Sequence, residues 1–317
     1  MQFGFDIPAQ GPMANPDSAA ELARAGEAMG FGYLYVSDHI VVPKTIRSPY
    51  PYNAKRKLPG ADNYLEQLTL LTFLAAHTRR IKLLTSVTVI PYRDAVFTAK
   101  SLATIDVLSN GRLVLGAGVG WMKEEFEAVG APPFEQRGTV TDEYLRAFVE
   151  LWTDKKPSFK GRHVRFSDIA FEPKPVQKPH PPIWIGGESP YAIRRAATLG
   201  NGWYPISYDQ TYPITTPTRM RECLTELRKH AKAVGRSLKG FQVTYHAGMY
   251  DPKHVAIRQG GKRKNFTGTP AQVAGDIRAF QDAGVDNVFF LYPGNSVKAL
   301  IASAEQFMDK VGSRVKG

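Results

Sequence analysis

Asp38-His39 is the pair in this chain best suited to proton chemistry, and it follows the short apolar segment Tyr33 to Ser37. An imidazole can donate to a carbonyl or ring nitrogen, or move a proton near neutral pH. A histidine in this place can equally be a structural group bound to a loop. His246 also follows an expected strand and is the second candidate. His77, His163, His180, His230 and His254 fall on expected helices or peripheral loops and read as surface residues. No two histidines have HExxH spacing, and no GxSxG serine elbow occurs, so neither a metal site nor a serine nucleophile is expected. Cys223 is the only cysteine, which excludes an intramolecular disulfide and a CxxC site. Its neighbours Leu224, Leu227, Ala231 and Val234 make it a buried thiol on a helix.

Two glycine sites offer backbone rather than side chains. The first, Gly116-Ala117-Gly118-Val119-Gly120-Trp121, ends an apolar strand. Its glycines remove side chains where a flat or phosphorylated ligand could approach the main chain; a packing or turn role is the alternative. The second is Gly186-Gly187-Glu188-Ser189, between a strand and a helix. Free N–H groups at a helix start suit a phosphate, and Ser189 adds a hydroxyl. The alternative is a plain turn with a serine N-cap, and Glu188 would repel a phosphate unless a protonated oxygen intervened.

The elements that must position these residues alternate strand and helix. Strands are expected at Phe3 to Ile7, Tyr33 to Ser37, Leu83 to Ile90, Leu113 to Leu115, Ile183 to Ile185, Gly202 to Ile206, Phe241 to Tyr245 and Asn287 to Leu291. Helices are expected at Pro16 to Met29, Leu65 to His77, the stretch after Asp94, Lys123 to Trp152 with a break at Pro132-Pro133, Tyr191 to Leu199, Thr218 to Val234, Ala271 to Ala283 and Val297 to Val311. Asp94 can cap the third helix, and Ser109-Asn110-Gly111 supplies left-handed residues that stop it. Arg162 to Phe166 is expected to form an extra strand of structural purpose. Eight strands each followed by a helix is the count of a closed (β/α)8 TIM barrel, an α/β fold. The competing doubly wound sheet would carry GxGxxG after its first strand, and Asp6 to Gly11 has no such turn. In a barrel, chemistry sits at the carboxyl ends of the strands. That rule selects Asp6, Ser37, Asp38, His39, Pro91, Gly118 to Trp121, Gly186 to Ser189, Tyr204 to Ser207, His246, Tyr292 and Pro293.

Composition bounds the rest. The chain has 317 residues, is 43% apolar, and shows no linker or low-complexity tract, so one domain over residues 1–317 is expected. Its start lacks a signal-peptide pattern and no apolar run could span a bilayer, so a cytoplasmic, membrane-free protein is expected. The balance of 41 basic and 29 acidic residues, +12, favours an anionic partner. No nucleic-acid-binding signature accompanies it, so nucleic acid is not that expected partner. The basic residues cluster at Lys44, Arg47, Lys55, Arg56 and Lys57, and again at Arg258, Lys262, Arg263 and Lys264.

VSDH at Val36 to His39, TSVTVIPYRDAVFTAKSLATID at Thr85 to Asp106, LSNGRLVLGAGVGWMKEEFEAVG at Leu108 to Gly130, KPVQKPHPPIWIGGESP at Lys174 to Pro190 and NGWYP at Asn201 to Pro205 together carry a resemblance. In these pieces the chain resembles the bacterial luciferase-like monooxygenase family, including its branch that uses the 5-deazaflavin coenzyme F420. The resemblance is weakest from Thr211 to Asn265. It implies the same barrel, and a non-proline cis bond at Ser86-Val87 whose bulge, with Thr85, lies behind the cofactor ring. It also implies Asp38 and His39 at the ring edge as catalytic groups. Gly118, Val119, Gly120, Trp121, Gly186, Gly187, Glu188 and Ser189 would hold the ribityl and phosphate parts.

The implied activity is hydride transfer between F420 and a small organic substrate. The alternatives are an FMN-dependent monooxygenase fed by a partner reductase and using O2, and a non-catalytic flavin-binding barrel. A second copy of the chain is a further expected partner. Two departures matter. Trp121 stands where the sugar-phosphate dehydrogenases of the F420 group carry an acid/base glutamate, which argues against that reaction. No basic residue occurs from Gly116 to Met122, whereas bacterial luciferase has an arginine near its run. The tyrosines and tryptophans at Tyr50, Tyr52, Trp121, Trp203, Tyr204 and Tyr208 suggest an aromatic pocket.

Overall fold

The computed structural model describes residues 1–53, 55 and 63–315; Arg56 and Lys57 of the first basic cluster lie outside the described residues. Eight parallel strands close into a barrel: Gln2–Asp6, Tyr33–Val36, a third in two pieces (Lys82–Thr85 and Thr88–Val89), Leu113–Gly118, Ile183–Gly186, Gly202–Tyr204, Gln242–Met249 and Asn287–Leu291. The third strand pairs with the fourth through both of its pieces, which completes the ring. The expected (β/α)8 barrel is therefore the observed fold. Helices Pro16–Ala28, Gln67–His77, Ala95–Leu108, Arg137–Thr153, Pro190–Leu199, Pro217–Ala233, Pro270–Asp282 and Val297–Phe307 surround it. Side chains cap the starts of all of these helices except Arg137–Thr153, and Asp94 does so as expected. Asp94 accepts from the Phe97 N–H at 2.8 Å, and Thr269 with Gln272 forms a reciprocal capping box.

Several boundaries differ from expectation. The third strand is not continuous over Leu83 to Ile90. It breaks at Ser86-Val87 and ends in a 3-10 turn, Ile90–Tyr92. After the third helix, Asn110 (φ 54°) and Gly111 (φ 76°) are left-handed, but Ser109 stays right-handed and its side chain binds the Asp106 carbonyl. The seventh strand runs to Met249 because a bulge between His246 and Gly248 lets it keep pairing. Arg165–Phe166 pairs with Phe159–Lys160 outside the barrel, its turn held by the Glu143 carboxylate on the Arg162, His163 and Val164 N–H groups. Cys223 is buried, as its neighbours require.

Large inward side chains face glycines across the barrel. Tyr33, Tyr35, Leu84, Val114, Trp184, Tyr204 and Phe289 form the inner cluster. A Cβ at Gly4 would meet the Phe289 ring at 2.6 Å, and one at Gly202 would meet Trp184 at 2.4 Å. The glycine run has a packing reason as well. A Cβ at Gly116 would lie 2.0 Å from the Thr85 carbonyl oxygen, and one at Gly118 would lie 2.5 Å from a Val87 methyl. These two glycines make room for the bulge of the neighbouring strand rather than for a ligand alone.

Gly116→Ala should therefore lower stability by about 1–3 kcal/mol or more, since backbone and not a flexible side-chain tip must move. Gly275→Ala, in a helix with open space at the added methyl, should be neutral or stabilising by about 0.4–1 kcal/mol. Urea denaturation of the two variants compares them; equal stabilities would contradict this packing account.

Candidate active site at the carboxyl ends of the strands

The chain leaves the second strand through Ser37 into Asp38 and His39, both buried. Their side chains engage different partners. Asp38 Oδ2 accepts from the Val89 N–H at 2.8 Å and Arg93 Nη1 at 2.9 Å, and Oδ1 accepts from Arg93 Nη2 at 2.7 Å. Arg93 also donates to Glu66 Oε1 at 2.7 Å. Burial opposes ionisation of Glu66, but the Thr69 N–H and Arg93 outweigh it and hold the carboxyl below its usual range. Asp38 thus fixes the backbone just beyond the bulge, and its oxygens are occupied in doing so.

His39 Nδ1 lies 2.6 Å from Glu125 Oε2. Glu125 belongs to the short helix Lys123–Ala128 after the fourth strand and is fully buried. Its Oε1 accepts from the N–H groups of Ile40 (2.8 Å) and Val41 (3.3 Å), and Oε2 also accepts from the Tyr92 hydroxyl at 3.0 Å. Burial and then the Glu125 carboxylate push the Tyr92 hydroxyl far up, so it remains a donor. With Nδ1–H given to Glu125, the atom His39 presents elsewhere is Nε2; among the described residues it has no partner. The imidazole meets the Tyr64 ring at a tilt of 60°, 4.9 Å between ring centres.

The adjacent Glu124 holds the next stretch of the same loop, accepting from the Arg47 and Ser48 N–H groups at 2.8 and 3.0 Å. Further on, the Pro51 carbonyl accepts from the Gln210 N–H at 3.0 Å. The loop therefore crosses the mouth and brings an aromatic series with it. Trp121 meets Tyr50 (5.1 Å), Tyr50 meets Tyr52 (5.4 Å), Tyr52 meets Tyr208 (6.0 Å), and Tyr208 meets His246 (5.6 Å).

The Ser86-Val87 peptide bond is cis. Thr85 is fully buried, its hydroxyl given to the Gly116 carbonyl at 2.8 Å. Ser86 Oγ meets the Tyr204 hydroxyl at 3.0 Å. Val87 turns towards the inner cluster and packs where Gly116, Gly118 and Gly186 lack side chains. None of the described residues accepts from the N–H of Gly120 or Trp121. At the second glycine site, Ser189 caps its helix through the Ala192 N–H at 3.2 Å, so its oxygen already serves the helix. Glu188 turns inward. Its Oε1 accepts from the Ile206 N–H at 2.6 Å, and burial pushes its carboxyl up to about 8. Near neutral pH its charge is thus largely suppressed.

The structure brings Ser86, Val87, Gly118, Gly186 and Tyr204 together, with His39 held at the rim. Glu125, Tyr92 and Arg93 are the residues that sequence reasoning missed. Their only signal was local: two glutamates opening a helix directly after the glycine run, beside the buried Phe126. Among the described residues no group of three or more His, Cys, Asp or Glu side chains could hold a metal ion, and no helix is long and apolar enough to cross a membrane.

Glu125→Ala should cost about 2–5 kcal/mol, because it leaves buried donors of the loop and Tyr92 unpaired. Glu125→Gln should cost less, since the amide oxygen still accepts from Ile40 and Val41. Guanidinium melts of both variants make the comparison; an undiminished midpoint in the alanine variant would remove Glu125 from the centre of the site.

Comparison with known proteins agrees with this geometry. The profile described as "Luciferase-like monooxygenase" matches residues 1–250. An FMNH2-dependent dimethylsulfone monooxygenase of Pseudomonas putida is 30% identical, over 78% of this chain and 81% of its own length. An uncharacterised protein of Mycobacterium tuberculosis is 36% identical over 69% of this chain and 77% of its own. In fold, a monooxygenase of Streptomyces bottropensis superposes with a TM-score of 0.75 at 21% identity, covering 99% of each chain. The coenzyme F420-dependent tetrahydromethanopterin reductase of Methanopyrus kandleri superposes with a TM-score of 0.73 at 18% identity, covering 98% of this chain and 99% of that one. A closed barrel with its polar side chains gathered at one end, a matched profile over most of the chain and relatives of this identity place the protein in the luciferase-like monooxygenase family of oxidoreductases.

Proposed function

We propose that the protein is an oxidoreductase that binds the deazaflavin coenzyme F420 at the barrel mouth and acts on a small organic substrate. The observation that carries this reading is the shape of the mouth. Val87 forms a raised apolar platform bordered by side-chain-free backbone at Gly118 and Gly186. The unpartnered N–H groups of Gly120 and Trp121 lie on the same rim. A planar ring fits such a platform, and a ribityl or phosphate oxygen suits the N–H groups. The exposed Arg258, Lys262 and Lys264, in the loop after the seventh strand, suit the anionic tail of F420. Arg263 is not free for this, since Asp276 binds it through two contacts of 2.7 Å.

When bound, the coenzyme supplies hydride transfer at C5. The chain's own residues do the rest. His39 offers Nε2 for a proton or hydrogen bond at the ring edge or at a substrate oxygen. Asp38 acts from behind, by holding Val89 and Arg93. Tyr50, Tyr52 and Trp121 cover the mouth and exclude water.

A second reading is supported by the Pseudomonas putida relative, whose name states FMNH2 dependence. It would make this protein an FMN-dependent monooxygenase using O2 and reduced flavin from a partner reductase. The third expectation, a non-catalytic flavin-binding barrel, gives no reason for a buried glutamate to orient His39.

Titration of the purified protein with each cofactor, read by intrinsic fluorescence, decides between the first two. Tighter binding of F420 than FMN is expected, weakening as salt rises because part of the attraction is to exposed charge. Micromolar FMN binding without F420 binding would establish the second reading instead. With either cofactor, His39→Ala should lower turnover by about 10²–10⁴-fold and affinity far less. Full turnover in that variant would assign the proton chemistry elsewhere.

The proposal extends to a second copy of the chain. The outer faces of the second and third helices are uncharged: Phe97 and Leu108 are 66% and 60% exposed, and the Lys100 ammonium folds back over Phe171 at 4.4 Å. Light scattering should give twice the chain mass, and Phe97→Glu with Leu108→Glu should give monomers. A monomeric parent protein would rule this out.

A further inference from the structure

Strand register shows which mouth residues point inward, and some of them have no part in the cofactor reading. Paired residues of a parallel barrel face the same side. Asp6 pairs with Tyr35, and Tyr35 belongs to the inner cluster, so Asp6 projects into the barrel at the end of the first strand. His246 pairs with the inward Phe289, and Tyr204 is itself in the inner cluster. The rings of Tyr35 and Tyr208 meet His246 edge-on at 5.7 and 5.6 Å. Strands four and five present Gly118 and Gly186 at this level, so the mouth is lopsided. Strands three to five give bare backbone and Val87; strands six, seven and one give phenol hydroxyls, an imidazole and a carboxyl, with Tyr204 at the border through Ser86.

We propose that Asp6, Tyr204, Tyr208 and His246 form the subsite for the organic substrate, and that this substrate is an uncharged molecule bearing hydrogen-bonding oxygen or nitrogen atoms, not a phosphate, sulfonate or carboxylate. The placement of the substrate opposite Val87 rests on the cofactor reading above; the charge argument does not.

Asp6 is only partly covered, yet protein surrounds it. Burial alone, with no cation opposing it, pushes its carboxyl up to about 7. Burial pushes the His246 imidazole down to about 4, so it is neutral at physiological pH. The Gly248 N–H donates to His246 Nδ1 at 3.3 Å, which leaves Nε2–H as a donor. The nearby phenols are all pushed up by burial and keep their protons. Arg93, the guanidinium bound to the buried Asp38, is committed to Asp38 and Glu66. Among the described residues no cation acts on these four groups, so an anion in this subsite would lose its hydration without one of them to replace it. A neutral sulfone, amide, ketone or alcohol would find hydroxyl and N–H donors, and a carboxyl able to donate or accept.

Asp6 interacts with Tyr35 from the second strand, Tyr64 from the loop after it, Tyr204 from the sixth strand and Tyr208 from the loop after that; Ser86, in the break of the third strand, meets Tyr204, and His246 from the seventh meets Tyr35 and Tyr208. Glu188 and Asp209 lie beyond Tyr52. Of those with a resolved shift, only Asp6 and Glu188 change charge between about pH 6 and 9.

Matched pairs of probes test the proposal on the full chain by calorimetry, with and without bound F420 or FMN: methyl phenyl sulfone against benzenesulfonate, and benzamide against benzoate. The neutral member of each pair should bind at least roughly tenfold more tightly. Its affinity should fall as pH rises through 7 and Asp6 ionises. Asp6→Asn should keep neutral binding and lose that fall, whereas an unchanged pH profile would assign it to Glu188 and overturn the role of Asp6. Tighter binding of the anions, or no binding of either neutral probe in any cofactor state, would overturn the substrate class. Discrimination between the pairs by a protein that binds neither cofactor would sink the cofactor reading and leave this one standing.

Discussion

The buried carboxylate of Glu125 is the contact on which the mouth of this barrel depends. It accepts from His39, Ile40, Val41 and Tyr92. Those donors come from the loop after strand two and the turn after strand three, whereas the acceptor comes from the helix after strand four. A carboxylate out of water is costly unless its lone pairs are filled. The loop therefore cannot leave without stranding a buried charge, and the helix cannot shift without releasing His39. Asp38 repeats the device one residue earlier, binding Val89 and Arg93. Two consecutive side chains lock three strand ends together, and only one of them keeps an atom for a ligand.

A second constraint shapes what those locked ends surround. The bulge at Ser86-Val87 needs glycine beside it, which Gly116, Gly118 and Gly186 provide. The same substitution that accommodates Val87 strips side chains from one side of the mouth. The first, sixth and seventh strands keep Asp6, Tyr204 and His246. Packing and ligand geometry are thus one decision: a flat surface arises where the bulge is packed, and polar groups remain where it is not.

Local pattern made much of this legible. Strand and helix alternation set the barrel, and Asp94 marks a helix start that the structure places as expected. The rule that chemistry lies at strand ends pointed to Asp6, His39 and His246. What the pattern could not convey is pairing across long separations. Glu125 is 86 residues from His39, and nothing near either residue announces the other. For the same reason Gly116 and Gly118 read as ligand-facing from their own strand, while the Thr85 carbonyl and Val87 that require them sit on another. Ser189 read as a phosphate hydroxyl, yet its oxygen caps a helix, because the first turn of any helix leaves N–H groups, here that of Ala192, in need of an acceptor.

The central claim is that Glu125 holds His39 with its Nδ1 protonated and its Nε2 offered to the mouth. Nitrogen-15 NMR of the histidine side chains, with the His39 signals assigned by their loss in His39→Gln, reads this directly. At neutral pH the account predicts a protonated Nδ1 for His39, with the Nε2 resonance changing on cofactor or substrate binding. A neutral His39 ring with its proton on Nε2 and a bare Nδ1 would contradict it.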